Sequence, residues 1–573
     1  MATVTHRSAL TQLHLRHRPA PSRQATGPHV GTAALLRDQL TYALRDLWRG
    51  RIAFIFTFLF PLTFLLVTGA MAGNETIAPD SEIRISQFFT PLAAVMGALY
   101  GAFPTVATSL ADARERGMLK RVRGTPLPGW VYLAGRIGAA ALMALGAWTL
   151  MLLVGVVAYD VQIQWDTMPA TVVTVLLAVT AFAAAGVAVA GLARSAALAE
   201  AVAIAVAVVL SFLSGIMGIG DLPGWADRIA GVFPIKPFAD ALSAQFDPLR
   251  TGTGWNFGAL AVIAAWAGGA GVVAVLTFRW DPAPARRGTG TRGPGVRARA
   301  GAAARTSVVA PRAFDAVDAG RPGWLSVMGD QARWATSAAL RDLGWVFFAI
   351  AMPVAVFVFN ASVMPGDLLQ DLTPPLMLQM ASGMAAWAAA ITGMVNVPEA
   401  VARARDKGIL KRLRGTPVPL TAYLVGRLVS ALGMVLVTGG LVLGVGVVWF
   451  TVEVAWRGLP LAVAMLVLGT VSLTACGMLL AAVLPSVKAM SAVGLGIALP
   501  LSFFSDVFAI GFVPEWMSTV GSFFPLKHLA NSVSFALDPA GPTVSWLGIA
   551  VMTAWLVGAG LLAVRLFRWS PDR

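Results

Sequence analysis

Residues 117–128 (GMLKRVRGTPLP) and 408–419 (GILKRLRGTPVP) are identical at nine of twelve positions across a spacing of 291 residues. The spacing then holds without a gap: Tyr132 and Arg136 match Tyr423 and Arg427, Pro223 and Trp225 match Pro514 and Trp516, and Pro234 and Lys236 match Pro525 and Lys527. A direct repeat of this length means that one structural plan is used twice, so whatever the first half builds, the second half builds again in the same orientation.

Composition says where that plan is built. The chain is 57% hydrophobic and only 12% charged, against about 25% charged in a typical soluble domain. It reads as an all-α polytopic membrane protein. A bilayer core needs about 20 apolar helical residues, and such stretches fall near 52–72, 88–110, 131–158, 168–192, 198–219 and 256–278, then near 345–363, 376–397, 422–448, 460–484, 490–510 and 544–566. These are twelve expected spans in two sets of six. An even number per half is what two repeats of one orientation require.

Loop charge sets the sidedness. Segments 112–130, 279–323, 403–421 and 565–573 are basic, whereas 73–87, 160–166 and 364–372 are acidic or nearly so, which places both termini in the cytoplasm. Residues 1–30, with His6, His14, His17 and His29 irregularly spaced, read as a disordered cytoplasmic tail. Residues 31–280 and 324–573 are the two six-helix units. The stretch 281–323, with eight arginines and few large apolar residues, is a solvated cytoplasmic linker. The net charge of +15 is concentrated in loops and tails beside apolar spans and lacks the aromatic interleaving of a nucleic-acid surface, so no nucleic-acid partner is expected. The single Cys476 excludes a disulfide framework. Ahead of each first span stands an amphipathic stretch. In the first, Leu36, Leu40, Ala43, Leu44 and Leu47 share one helical face, and ALRD recurs at 43–46 and 339–342, which suggests a shared interfacial role.

The two basic loops carry more order than topology demands. Glu115 and Asp406 precede Arg116-Gly117 and Lys407-Gly408. Lys120, Arg121 and Arg123, or Lys411, Arg412 and Arg414, then lie on a short helix expected to end at Gly124 or Gly415, with Thr125-Pro126 or Thr416-Pro417 preventing its continuation. Positive charge alone fixes sidedness. It does not call for the same Gly, Thr and Pro at the same offsets, so the loops read as docking surfaces.

This acidic-basic-Gly-x-Leu-Lys-Arg-x-Arg-Gly-Thr-Pro pattern, lying between the second and third spans, resembles that of type-2 ABC exporter permeases, the membrane subunits of daunorubicin-type drug exporters. The segments around Pro223 and Trp225, Pro514 and Trp516, and the Phe-Pro-x-Lys steps holding Pro234 and Lys236, Pro525 and Lys527, are similar to that family's extracellular re-entrant segment. The resemblance covers both halves and implies a cytoplasmic ATP-binding subunit, in two copies, docked on the two loops, with ATP and Mg2+ held by that partner and no cofactor on this chain. It implies a bacterial cell membrane setting and outward movement of a lipophilic or amphipathic compound. A fused pair supplies both membrane halves, so homodimerisation is not required. Phe88, Phe89, Met96 and Phe103, with Met377, Met380, Met384 and Trp387, are candidates to line a path, though such residues more often pack helices.

No G-x-x-x-x-G-K-[ST] loop, nor any Gly-Lys dipeptide, occurs in the chain, so nothing resembles a P-loop nucleotide site. The alternative is a twelve-helix ion-coupled secondary transporter. The near absence of ionisable residues within the spans, Arg136, Arg427 and Asp506 near helix ends apart, counts against it.

Overall fold

The computed structural model describes residues 31–48, 54–72, 75–76, 83–125, 127–216, 224–250, 252–278, 323–363, 375–413, 415–416, 419–508 and 513–567. The tail 1–30, all but Gly323 of the linker, and Pro126, Pro223, Arg414 and Pro417 lie outside these, as does the side chain of Trp225.

Each half contributes ten helical elements. In the first, α1 (Thr32–Trp48) precedes α2, which runs from a π-helical turn (Ile55–Leu59) into Phe60–Ala72. Then come α3 (Ser86–Glu115), α4 (Met118–Arg123), α5 (Gly129–Tyr159), α6 (Met168–Leu192), α7 (Ala196–Leu213), the short pair α8 (Gly224–Val232) and α9 (Ile235–Phe246), and α10 (Phe257–Thr277). The second half repeats the order as α11 (Trp324–Arg341), α12 (Leu343–Val346, a π turn Phe347–Ala351, and Met352–Val363), α13 (Leu376–Asp406), α14 (Ile409–Leu413), α15 (Leu420–Trp449), α16 (Leu459–Val483), α17 (Val487–Phe504), α18 (Glu515–Gly521), α19 (Pro525–Ala536) and α20 (Trp546–Leu566).

All twelve expected spans are helical. Among the described residues, ten helices are long and apolar enough to cross a membrane, and two shorter apolar ones run over Thr57–Met71 and Ala489–Phe504. The fifth helix of each half stops short of the sequence expectation, at Leu213 and Phe504, because the next residues but one, Gly215 and Asp506, adopt left-handed backbone with φ of 78° and 57°. In the second half the Asp506 and Val507 amides donate to the Phe503 and Ser502 carbonyls, the hydrogen-bond pair that ends a helix through one left-handed residue.

Small residues let the helices close on one another where apolarity supplies no preference between neighbour and lipid. A Cβ at Gly101 would stand 2.8 Å from Ala144 Cα, and one at Gly186 would stand 2.6 Å from the Phe103 carbonyl. The second span of each half, α3 or α13, lies innermost, almost wholly buried, with α5, α6, α7 and α9 around α3.

The halves meet reciprocally. α2 packs on α17, where Gly496 admits Ile55 and Leu59, and α7 packs on α12, where Gly344 faces Ala201 and Phe212 meets Phe359 edge-on at 5.3 Å. The first span of each half therefore rests on the fifth span of the other.

Candidate functional site: the paired basic loops

α4 and α14 are single amphipathic turns. Leu119 and Leu410 are buried, whereas Lys120, Arg121, Arg123, Lys411 and Arg412 are exposed. The first short helix ends at Gly124 as expected, but the left-handed glycines stand at the other end. Gly124 ends the helix with φ of −83°, ordinary right-handed backbone, whereas Gly117 and Gly408, at the start, have φ of 68° and 67°. A left-handed residue lets the chain turn sharply out of α3 or α13 into the next short helix without a Cβ penalty. Thr125 and Thr416 complete the other end, each hydroxyl donating at 2.7 Å to the carbonyl three residues back, Val122 or Leu413.

The acids and the arginines before them are engaged within the chain. Glu115 Oε2 accepts from the Ala196 amide at 2.8 Å, and Asp406 Oδ2 from the Val487 amide at 3.3 Å. Each carboxylate thus sits on the N-terminus of the fifth span, where the helix dipole favours negative charge. One residue earlier, buried Arg114 Nη1 donates to the Ala190 carbonyl at 2.7 Å. Its counterpart Arg405 donates to Ala481 and Leu484 at 2.8 and 3.0 Å. These carbonyls are the orphan acceptors at the C-terminal end of the fourth span. Two neighbouring side chains of opposite sign therefore clamp the two helix ends that face each other across one tight connection. Arg114 and Arg405 stand in both basic loops of the sequence, but nothing there distinguishes them from the other loop arginines. Glu115 and Asp406 were legible as acids and not as caps, because their partners lie 81 residues away. Arg116 pairs with Asp112 at 2.6 Å, and Lys407 is exposed.

The amphipathic helices buttress this end. α1 lies on α5 with Ala43 and Leu47 buried, and Asp46 pairs at 3.0 Å with Arg136, itself only 3% exposed and held by the Tyr132 hydroxyl at 3.2 Å. In the second half, Arg427 lies over the Trp334 ring at 5.5 Å and bonds the Tyr423 hydroxyl at 2.7 Å. The ALRD match does not mark equivalent positions. Gln39 and Gln331 occupy the same contact against Gly135 and Gly426, and from that register the second ALRD lies one helical turn late, so Asp342 accepts from the Trp345 amide instead of pairing with Arg427.

At the opposite end, Pro234, Pro514 and Pro525 stand at the starts of α9, α18 and α19, and exposed Trp516 packs edge-on against Phe504. Lys236 and Lys527 turn inward. Lys236 contacts Asp227 and Asp240 at 3.0 and 3.1 Å. Burial opposes its charge, but hydrogen bonds to these two carboxylates outweigh that and raise its pKa. Lys527 is buried against Asp506 at 2.8 Å and Ser518 Oγ at 2.6 Å. Of the path candidates, Met96, Phe103, Met380, Met384 and Trp387 are buried in helix packing and Phe88, Phe89 and Met377 are half-buried. Trp387 is fixed against Phe508 at 4.8 Å.

A repeated six-span unit with a short basic helix after its second span defines a polytopic membrane protein. The family model of the ABC-2 type transporter matches twice, over residues 39–246 and 333–537, and the chain belongs to that family. It is a multi-pass ABC transporter permease with two ABC-2 membrane domains in tandem, and permeases of this family usually work with a separate ATPase. No curated protein matches the chain.

Proposed function

We propose that this chain supplies both membrane halves of an ATP-driven exporter in a bacterial cell membrane, moving a lipophilic or amphipathic compound outward. ATP and Mg2+ are held by a separate cytoplasmic ATPase, two copies of which dock on α4 and α14. The observation that carries this reading is the clamp: each exposed basic turn is rooted, through Arg114 and Glu115 or Arg405 and Asp406, on the facing ends of the fourth and fifth spans. Force applied to α4 reaches α7, and α7 is one of the two helices of its half that pack on the other half. In this arrangement α8–α9 and α18–α19 cover the external mouth, and the second-span residues face a path only when the halves part.

The experiment reverses exposed charges and leaves the clamp intact. Lys120→Glu, Arg121→Glu, Lys411→Glu and Arg412→Glu together remove contacts worth about 0.2–1 kcal/mol each, so association with the cognate ATPase weakens about fourfold or more. Thermal stability of the purified chain stays put, because all four side chains are exposed. Unchanged assembly and transport would reduce these residues to topology markers. The chain alone hydrolyses no ATP in this reading, and robust hydrolysis by contaminant-free protein would overturn it.

A further inference from the structure

At the end of the second half opposite the basic loops, a cavity of about 200 Å³ lies between the start of α13, the end of α17, and the pair α18–α19. Gln379, Asp506, Ser518, Asn531 and Ser534 supply its polar lining, and Val513 and Ala530 its apolar part. The first half repeats only the last of the five polar positions, as Ser243; the other four hold Phe88, Gly215, Asp227 and Asp240. There the two aspartates close on Lys236.

One feature marks the cavity as built for a ligand. Ser534 is 3% exposed, and its hydroxyl has no hydrogen-bond partner. An unpaired buried hydroxyl costs about 1–3 kcal/mol, which a ligand group seated beside it would recover. Asp506, in turn, occupies the left-handed position that the first half fills with Gly215. Aspartate is one of the few non-glycine residues that tolerates this conformation, and from it the carboxylate reaches the cavity while pairing with Lys527.

The lining also selects the chemistry. Lys527 already neutralises Asp506 at 2.8 Å and donates to Ser518. A cationic ligand would have to compete with an ammonium in place, and an anionic one would face the carboxylate. Gln379 and Asn531 are amides, which carry both donors and an acceptor, the complement of hydroxyl groups that donate and accept at once. Drug-sized ligands occupy roughly 300–1,000 Å³, so this space takes part of such a molecule.

We propose that this cavity binds an uncharged, hydroxyl-rich head group, such as a sugar ring, carried by the exported amphiphile. The assignment deepens the export reading and rests on it for the identity of the cargo. The binding itself needs no ATPase.

The test uses the full chain in lipid nanodiscs, with Cys476→Ser and Ser534→Cys, labelled by methyl methanethiosulfonate. At n-octyl β-D-glucoside ten times above its Kd, labelling slows about tenfold by mass action. n-Octylphosphocholine, with the same tail and a charged head, leaves it unchanged, and adding Gln379→Leu abolishes the glucoside effect. Equal protection by both amphiphiles would show that the tail alone is bound and overturn the proposal. Because Ser534→Cys perturbs the site, saturation-transfer NMR of methyl β-D-glucoside on the unmodified chain, against Asn531→Leu, is the second readout, and no transfer to the unmodified chain overturns the proposal as well. Sugar binding without transport by any ATPase complex would sink the export reading and leave the site, whereas transport without sugar binding would do the reverse.

Discussion

Gly117 and Gly408 differ from the other loop glycines in a way that only backbone geometry reveals. A Cβ on either would meet nothing within 4 Å, so the requirement for glycine comes wholly from φ near 68° and 67° and not from crowding. Gly117→Ala is therefore expected to destabilise the chain by about 1–2 kcal/mol, Gly117→Asn by less and Gly117→Val by more, in thermal denaturation of the purified protein; an effect that followed side-chain volume alone would contradict this account. Arg114 and Arg405 give the second residue-scale prediction. Replacing Arg405 by Met strips donors from the Ala481 and Leu484 carbonyls and costs about 1–3 kcal/mol, while Asp406→Asn keeps an acceptor for the Val487 amide and loses only the charge–dipole part, about 0.3–1 kcal/mol. Equal losses in the two variants would mean that the clamp does not act as drawn. Sequence reading found these residue types and the end of the helix at Gly124, but gave Gly117 and Gly408 no turning role. Nothing in a linear pattern shows that the turn into the helix, and not the turn out of it, needs the left-handed residue.

Among the elements, the apolar runs announced every span, because nearly 20 consecutive apolar residues leave few alternatives. The π turns were invisible. Each of the three among the described residues, Ile55–Leu59, Phe347–Ala351 and Ile391–Asn396, is followed at the second residue by a proline: Pro61, Pro353 and Pro398. Proline withholds an amide from the ladder and crowds the carbonyl four residues back, and one widened turn accommodates both. Yet Pro91 and Pro104 lie within continuous α3, so proline alone does not predict the outcome. The amphipathic helices were legible from their stripe, but their seat was not: a Cβ on Gly135 would stand 2.7 Å from Gln39 Cβ, and one on Gly426 2.6 Å from Gln331 Cβ. Gly135→Val is expected to lift α1 from α5, loosening the Asp46–Arg136 pair, and to raise proteolytic cleavage within 32–48 several-fold while α11 stays protected. Unaltered protection of α1 would place its anchorage elsewhere.

For the molecule as a whole, the reciprocal rest of α2 on α17 and α7 on α12 joins the two halves of one polypeptide. The Gly344 Cβ position lies 3.4 Å from Ala201 Cβ, close to disulfide range. Ala201→Cys with Gly344→Cys, on a Cys476→Ser background, should therefore cross-link under mild oxidation without leaving the monomer mass on a denaturing gel; a band of twice the mass would show that the contact forms between chains. The duplication itself was plain in the sequence, whereas the way the halves meet was not, since lipid-facing and partner-facing apolar surfaces look alike in composition. Fusion has a further consequence, visible at Gly215 and Asp506. In a homodimer every inherited change appears on both sides, so a carboxylate gained near one mouth is gained at both. Here a mutation is inherited once, and one half is free to keep its glycine as ballast while the other experiments.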